Sequence, residues 1–325
     1  MEDGALEDSN LFLREVNALI EKTFQITSAQ GFNAQTQNIL LSASSHLCLS
    51  KSAKRLRPLA CLYFSWLFDN EISKSLVCVS VAAEFIHAAS LMHDDIIDCA
   101  DKRRGALSVN QSYGNSVAVL AGDFLLTEAF LLIKSLDQEL TFSAVDAIRG
   151  MTKASMEELS ARGDLKLNEM EWRNIARGKT GSLFAWCAIA PSIIKKEKDR
   201  LADLWEAGFS LGLIFQMADD IKDFSGDGLL KDPCRDIMNK EQSLPIIIAS
   251  QKNTEIKGKL LDLYAKDKIE LDEAQKIASM IMDSGALLEI KALMNKEIEQ
   301  LLLLIKPFEA SFGYEKILKL IQKIF

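Results

Sequence analysis

The sequence predicts an all-α protein, a single-domain helical bundle. Three observations carry that expectation. Apolar residues recur at helical rather than alternating spacing along almost the whole chain. Only 5 of the 325 residues are proline while 48% are hydrophobic, so long helices can run unbroken and bury a large core. No Pro-, Gly- or Ser-rich stretch divides the chain, so residues 1–325 are expected to form one domain even though the length alone would allow two.

The clearest helix is Ser73–Asp98. Leu76, Val77, Val81, Phe85, Ala88, Ala89, Met92 and Ile96 spread around much of its surface, the mark of a helix buried on several sides. Further helices are expected over Asn115–Leu136, Thr141–Ala161, Asn168–Arg177, Lys179–Pro191, Lys198–Asp223 and Leu244–Ser250, with a set from Thr254 to the end. Pro58 and Pro245 are placed where helices begin, since proline is tolerated in the first turn. The longest irregular stretch, 225–243, reads as a functional loop rather than a linker. No internal repeat is present.

The net charge of −8 argues against nucleic acid as a partner, because phosphate-backbone binding needs a basic face. The small basic clusters Lys54-Arg55-Leu56-Arg57 and Lys102-Arg103-Arg104 must then have local targets. Cysteines 48, 61, 78, 99, 187 and 234 show no Cys-x-x-Cys spacing and read as reduced thiols. The start, Met-Glu-Asp-Gly, has no basic segment leading into an apolar run. No stretch approaches about 18 uninterrupted apolar residues. A cytoplasmic protein without a membrane span is therefore expected.

Two acidic clusters close long apolar helices: Asp94-Asp95-Ile96-Ile97-Asp98 and Asp219-Asp220-Ile221-Lys222-Asp223. On a helix, Asp94 and Asp98 are four residues apart on one face, as are Asp219 and Asp223. Carboxylates this close repel one another, and they oppose the dipole at a helix carboxyl end. Magnesium would offset both effects, because it takes hard oxygen ligands and is shared between one or two carboxylates and substrate phosphates. The alternative, two solvated acidic helix ends, does not explain the cations nearby. Lys54 and Arg57 precede the first cluster, Arg103 and Arg104 follow it, and Lys179 is expected to open a helix after Arg177-Gly178. Lys and Arg complement phosphate, so metal-bridged phosphate on one side and direct cations on the other describe a diphosphate site. His87 is either a satisfied core histidine or a ligand at the same cavity.

The run Phe85-Ile86-His87, Leu91-Met92-His93-Asp94-Asp95-Ile96-Ile97-Asp98 and Arg103-Arg104-Gly105 resembles the trans-isoprenyl diphosphate synthase family. So do Ser52–Pro58, Gly122-Asp123-Phe124, Lys179-Thr180-Gly181 and Phe215–Asp227, so that the likeness covers about residues 50–250. It implies an isoprenoid synthase bundle around a central cavity. It also implies head-to-tail condensation of an allylic diphosphate with isopentenyl diphosphate, and a homodimer. By this resemblance Asp94, Asp95, Asp98, Asp219, Asp220 and Asp223 are catalytic, with Asp94, Asp98 and Asp219 as metal ligands for about three magnesium ions. Lys54, Arg57, His87 and Arg104 match the isopentenyl diphosphate site. Arg103, Lys179, Thr180 and Gln216, with Lys231 and Lys240, match the allylic site. The chain departs from the family in two places. Ala53 stands where the family has glycine before the lysine, and the 230–243 loop has Glu241 at the second lysine position, so Lys240 falls one residue early.

Ala89 and Ser90 precede Asp94 by five and four residues, and both are small where short-product relatives carry an aromatic. A long-chain lipid product of about C30 or above, such as octaprenyl, is therefore expected, with the deeper floor at Phe124, Phe130 or Leu131. Geranylgeranyl or farnesyl diphosphate is the alternative. A terpene cyclase would need no isopentenyl-side cations. A non-catalytic prenyl-binding subunit would tend to lose aspartates that are complete here.

Overall fold

The computed structural model describes residues 2–28, 34–50, 52–103, 105–225 and 234–324. Arg104 and Lys231 lie outside them, as does much of the expected 225–243 loop. The fold is all-α, with one two-residue antiparallel hairpin as the only strand pair among the described residues. Contacts group the chain into two compact units interleaved in sequence. One comprises Met1–Val145, Trp186–Ala202 and Phe308–Leu318, the other Asp146–Ala185, Asp203–Pro307 and Lys319–Phe325.

The first unit contains α1 (Glu2–Ser28), α2 (Ala34–Cys48), α3 (Leu56–Ser65), α4 (Lys74–Ile97), β1 (Lys102–Arg103), β2 (Ala106–Leu107), α5 (Val109–Tyr113) and α6 (Asn115–Ile133). Its centre is α4, the helix expected over 73–98. The Ser73 side chain caps it by accepting from the Leu76 N–H at 3.1 Å, and Asp98 ends it. Its apolar residues point in every direction, and α1, α3 and α6 all pack on it. Phe85 is fully buried, its ring 5.7 Å from that of Phe24 on α1, and such a side chain contributes about 1.5–3 kcal/mol.

The closest partner of α4 is α6. A Cβ at Gly122 would collide with the His93 imidazole, so this glycine lets the two helices approach. Ala118, Ala121, Leu125, Ala129 and Ile133 complete the buried stripe of α6. Phe124 stands two residues from Gly122, about 200° around the helix, and is only half-buried. It is therefore off the α4-facing stripe that a channel floor would need, and Leu131, at 52% exposure, is further off still. Both α4 and α6 are long and apolar enough to cross a membrane by length and composition. In α4 that apolarity is mostly buried, whereas α6 leaves Val119, Leu120 and Leu131 exposed.

The second unit contains most of α7 (Gln138–Ser160), α8 (Glu169–Ala176), a π-helical turn (Arg177–Gly181), the start of α9 (Ser182–Lys195), and most of α10 (Leu201–Ser225). The short α11 (Arg235–Met238), α12 (Leu244–Lys252), α13 (Thr254–Tyr264), α14 (Leu271–Asp283) and α15 (Ala286–Ile305) follow. The last helix, α16 (Phe312–Ile324), belongs to the first unit up to Leu318. Asn168 and Glu171 form a reciprocal capping box at the start of α8, a sequence signature of helix entry.

Lys179 does not open a new helix as expected. The chain continues from α8 into α9 through one wide turn, and π-turns of this kind often mark functional positions. Glycines permit it. A Cβ on Gly178 would stand 2.5 Å from Ala154 Cβ, and one on Gly212 of α10 would stand 2.5 Å from Gly181 Cα. The second contact is of that Cβ with backbone and cannot relax by a rotamer change. Gly212→Ala is therefore expected to destabilise the protein by about 1–3 kcal/mol. A scanning melt should show a drop of several degrees, at about 2–4 °C per kcal/mol for a chain of this size.

Candidate active site

The two acidic clusters have the same burial pattern. Asp94 and Asp98 are half-buried at the carboxyl end of α4, with Asp95 buried between them. Asp219 and Asp223 are half-buried at the carboxyl end of α10, with Asp220 buried between them. Helical spacing explains the repeat: the outer residues lie one turn apart on one face, and the inner residue turns about 100° toward the core.

Each inner aspartate is held by the protein. Asp95 accepts from Arg103, the first strand of the hairpin, with Nε at 2.8 Å and Nη2 closer still. Asp220 accepts from Gln216 Nε2 at 2.8 Å and from the Leu244 N–H at 2.9 Å. Thr180 on the π-turn donates to Gln216 Oε1 at 2.6 Å. Thr180, Gln216 and Asp220 thus form one relay, ending on the amino terminus of α12. Asp223 in turn accepts from the Asp236 N–H at 3.1 Å.

Burial pushes Asp220 up to about 7, with Asp219 and Glu241 pushing the same way and the Leu244 and Gln216 hydrogen bonds holding it down. Burial raises Asp236 as well, aided by Asp223, Glu241 and Asp220. A carboxyl raised in the folded state contributes stability below its unfolded value and loses it as pH rises through the folded one. The metal-free protein is therefore expected to melt several degrees higher at pH 6 than at pH 8, at about 2–4 °C per kcal/mol. Asp220→Asn should flatten that slope, and an unchanged slope would contradict the assignment.

The cations are arranged in both units. In the first, Lys54 is exposed and Arg57 Nη1 lies 3.0 Å from His87 Nε2. Arginine has no acceptor, so Nε2 accepts and the imidazole proton sits on Nδ1. His87 is thus half-buried and paired with Arg57. In the second unit Lys179 pairs with Glu158. Lys240, in a left-handed backbone conformation at φ 57°, donates to the carbonyls of Tyr264 and Lys266 at 2.7 and 2.9 Å. It is a clamp on the turn after α13, while Glu241 lies 3.7 Å from Arg162. All six cysteines are free.

Three features were missed in the sequence. Glu158 gave no signal in an ordinary amphipathic helix. The π-turn was hidden because its residues read as helix. Glu84 was visible as the one carboxylate in the apolar body of α4, and it marks a buried partner.

The donor set fits magnesium. Each motif offers two half-buried carboxylates one turn apart, with hard oxygen donors, around a buried inner one. Among the described residues, no group of three or more His, Cys, Asp or Glu side chains could hold a metal by itself.

An all-α fold with paired aspartates and phosphate-complementary cations fits a diphosphate-binding enzyme. The match to the polyprenyl synthetase family model over residues 37–281 shows that this chain belongs to that family. The chain is 33% identical over 201 residues to the octaprenyl diphosphate synthase of Haemophilus influenzae, a match spanning 60% of each protein. The heptaprenyl diphosphate synthase of Staphylococcus aureus has the same fold, with a TM-score of 0.85 at 27% identity over 97% of both chains. A Caulobacter crescentus polyprenyl synthase, complexed with calcium and isoprenyl diphosphate, gives a TM-score of 0.84 at 24% identity, covering 99% of this chain and 95% of that one. Other relatives are named geranylgeranyl diphosphate synthases.

Proposed function

We propose that this protein condenses an allylic diphosphate with isopentenyl diphosphate, head to tail, into a long-chain trans-polyprenyl diphosphate. The repeated aspartate pattern carries the reading: two half-buried outer carboxylates around one that is buried and held, at the ends of two different helices. Asp94, Asp98 and Asp219 are the carboxylates that would hold magnesium, with Asp223 beside Asp219. When bound, the metal would supply Lewis-acid assistance to departure of the diphosphate.

The chain's own groups do the rest. Arg103, held by Asp95, and Lys179 bind allylic diphosphate oxygens, Lys179 exchanging its pairing with Glu158 for the substrate. Preorganised charges of this kind stabilise the negative charge that develops as the allylic C–O bond breaks. Thr180 and Gln216, locked together through Asp220, orient their dipoles without rearranging. Lys54, Arg57 and the His87 Nδ1–H bind the diphosphate of the isopentenyl substrate, whose double bond attacks the allylic carbon. No side-chain base is required if the departed diphosphate takes the final proton.

Two observations support a long product and a dimer. Ala89 is 1% exposed and lies four residues before His93, on the α4 face turned to α6, where a methyl group leaves room for a growing chain. The exposed Val119, Leu120 and Leu131 of α6 are apolar side chains of the kind that a second copy would cover. The proposed setting is cytoplasmic.

The purified chain, given magnesium, farnesyl diphosphate and radiolabelled isopentenyl diphosphate, should yield labelled products whose masses rise in C5 steps. Release of diphosphate without incorporation of label would point to a cyclase instead. No turnover of either substrate would indicate a prenyl-binding subunit.

A further inference from the structure

We propose that Arg55 is a positioning residue for the isopentenyl diphosphate end of the site, a role that rests on the condensation reading above. It lies in the basic run Lys54-Arg55-Leu56-Arg57 but does not share its neighbours' task. Lys54 is exposed and Arg57 half-buried, whereas Arg55 is 7% exposed. All three guanidinium nitrogens are engaged inside the first unit. Nη1 donates to Glu84 Oε1 at 2.7 Å, Nε donates to Asn17 Oδ1 at 3.1 Å, and Nη2 donates to the Cys48 carbonyl. One planar group therefore ties α4, α1 and the end of α2 together.

The backbone shows what this anchor imposes. Arg55 caps the amino end of α3 at φ 51°, ψ 37°, a left-handed conformation that a residue with a Cβ adopts only when its surroundings force it. On either side of this inward residue in the chain, Lys54 is exposed and Arg57 is half-buried beside His87.

Register is the consequence. Arg55 bonds Glu84 and Arg57 bonds His87, two residues apart on one strand of contact and three on the other. These two rungs fix the turn along α4. Glu84 precedes Asp94 by ten residues, a rise of about 15 Å along the helix. The cations for one diphosphate are thus held at a set height above the first metal-binding pair. Lysine could not serve here, because a single ammonium cannot span three acceptors in a plane.

Three variants test this: Arg55→Lys, Glu84→Gln, and the double Arg55→Met/Glu84→Met. The double removes both charges together, so that no lone charge is left buried. For each, the melting temperature, kcat, and KM for both substrates are measured on the full-length enzyme. Loss of positioning is expected to raise KM for isopentenyl diphosphate about tenfold, with KM for the allylic substrate and kcat within about threefold of wild type. The double variant, which restores core packing, should keep that selective defect even where its melting temperature recovers. A purely structural role would instead lower stability and active fraction while leaving both KM values unchanged, and that result would overturn the proposal. A wild-type enzyme that turns over allylic diphosphate with no dependence on isopentenyl diphosphate would overturn the condensation reading itself.

Discussion

Asp94→Ala is expected to lower prenyl transfer by about a thousandfold, the scale seen when a preorganised electrostatic group is removed from a reacting charge. The same change should cost the metal-free protein less stability than Asp95→Ala, because Asp94 is half-buried whereas Asp95 is buried. Asp95→Ala should behave differently. It strips Arg103 of its buried partner, so the melting temperature should fall together with activity. Measuring both quantities on both variants separates the group that meets the metal from the group that holds the hairpin. If Asp94→Ala melted as far below wild type as Asp95→Ala, the assignment of the outer aspartates to function over stability would be wrong.

Ala89→Phe is expected to shorten the product by several C5 units while magnesium dependence persists. Ala89 is 1% exposed and shares with His93 the α4 face that meets Gly122. A ring placed there blocks a channel running back along α4. Overpacking is the competing outcome, costing about 1–3 kcal/mol, and it would lower total activity without changing the length of what is made. Product chromatography distinguishes the two, and an unchanged length would mean that the chain grows in another direction. Phe124→Ala serves as a control. Phe124 is off the buried stripe of α6, so its removal should leave product length as it was.

The fold class was legible because apolar periodicity is a local property, and α4 starts and ends within a residue of where its pattern places it. The aspartate pairs were legible for the same reason, since spacing on a helix follows from sequence alone. What could not be read was everything that depends on a partner far along the chain. Phe124 looked like a channel floor until the neighbour of Gly122 was known. Lys240 looked like a phosphate ligand, yet its amine is taken by the carbonyls of Tyr264 and Lys266. The turn at Arg177–Gly181 reads as helix because its wide geometry is imposed by Ala154 against Gly178 and by Gly212 against Gly181.

The sequence by itself thus determined that two helix ends carry carboxylates at metal-binding spacing, with phosphate-seeking cations near them in the chain. Only the tertiary structure decided which partners those charges take. Asp95 and Asp220 are spent on Arg103, Gln216 and the Leu244 N–H, Lys240 on backbone, and Arg55 on Glu84, Asn17 and Cys48. The physical reason is that a buried polar group must find a partner, and that partner is chosen by three-dimensional proximity, which spacing along the chain does not encode.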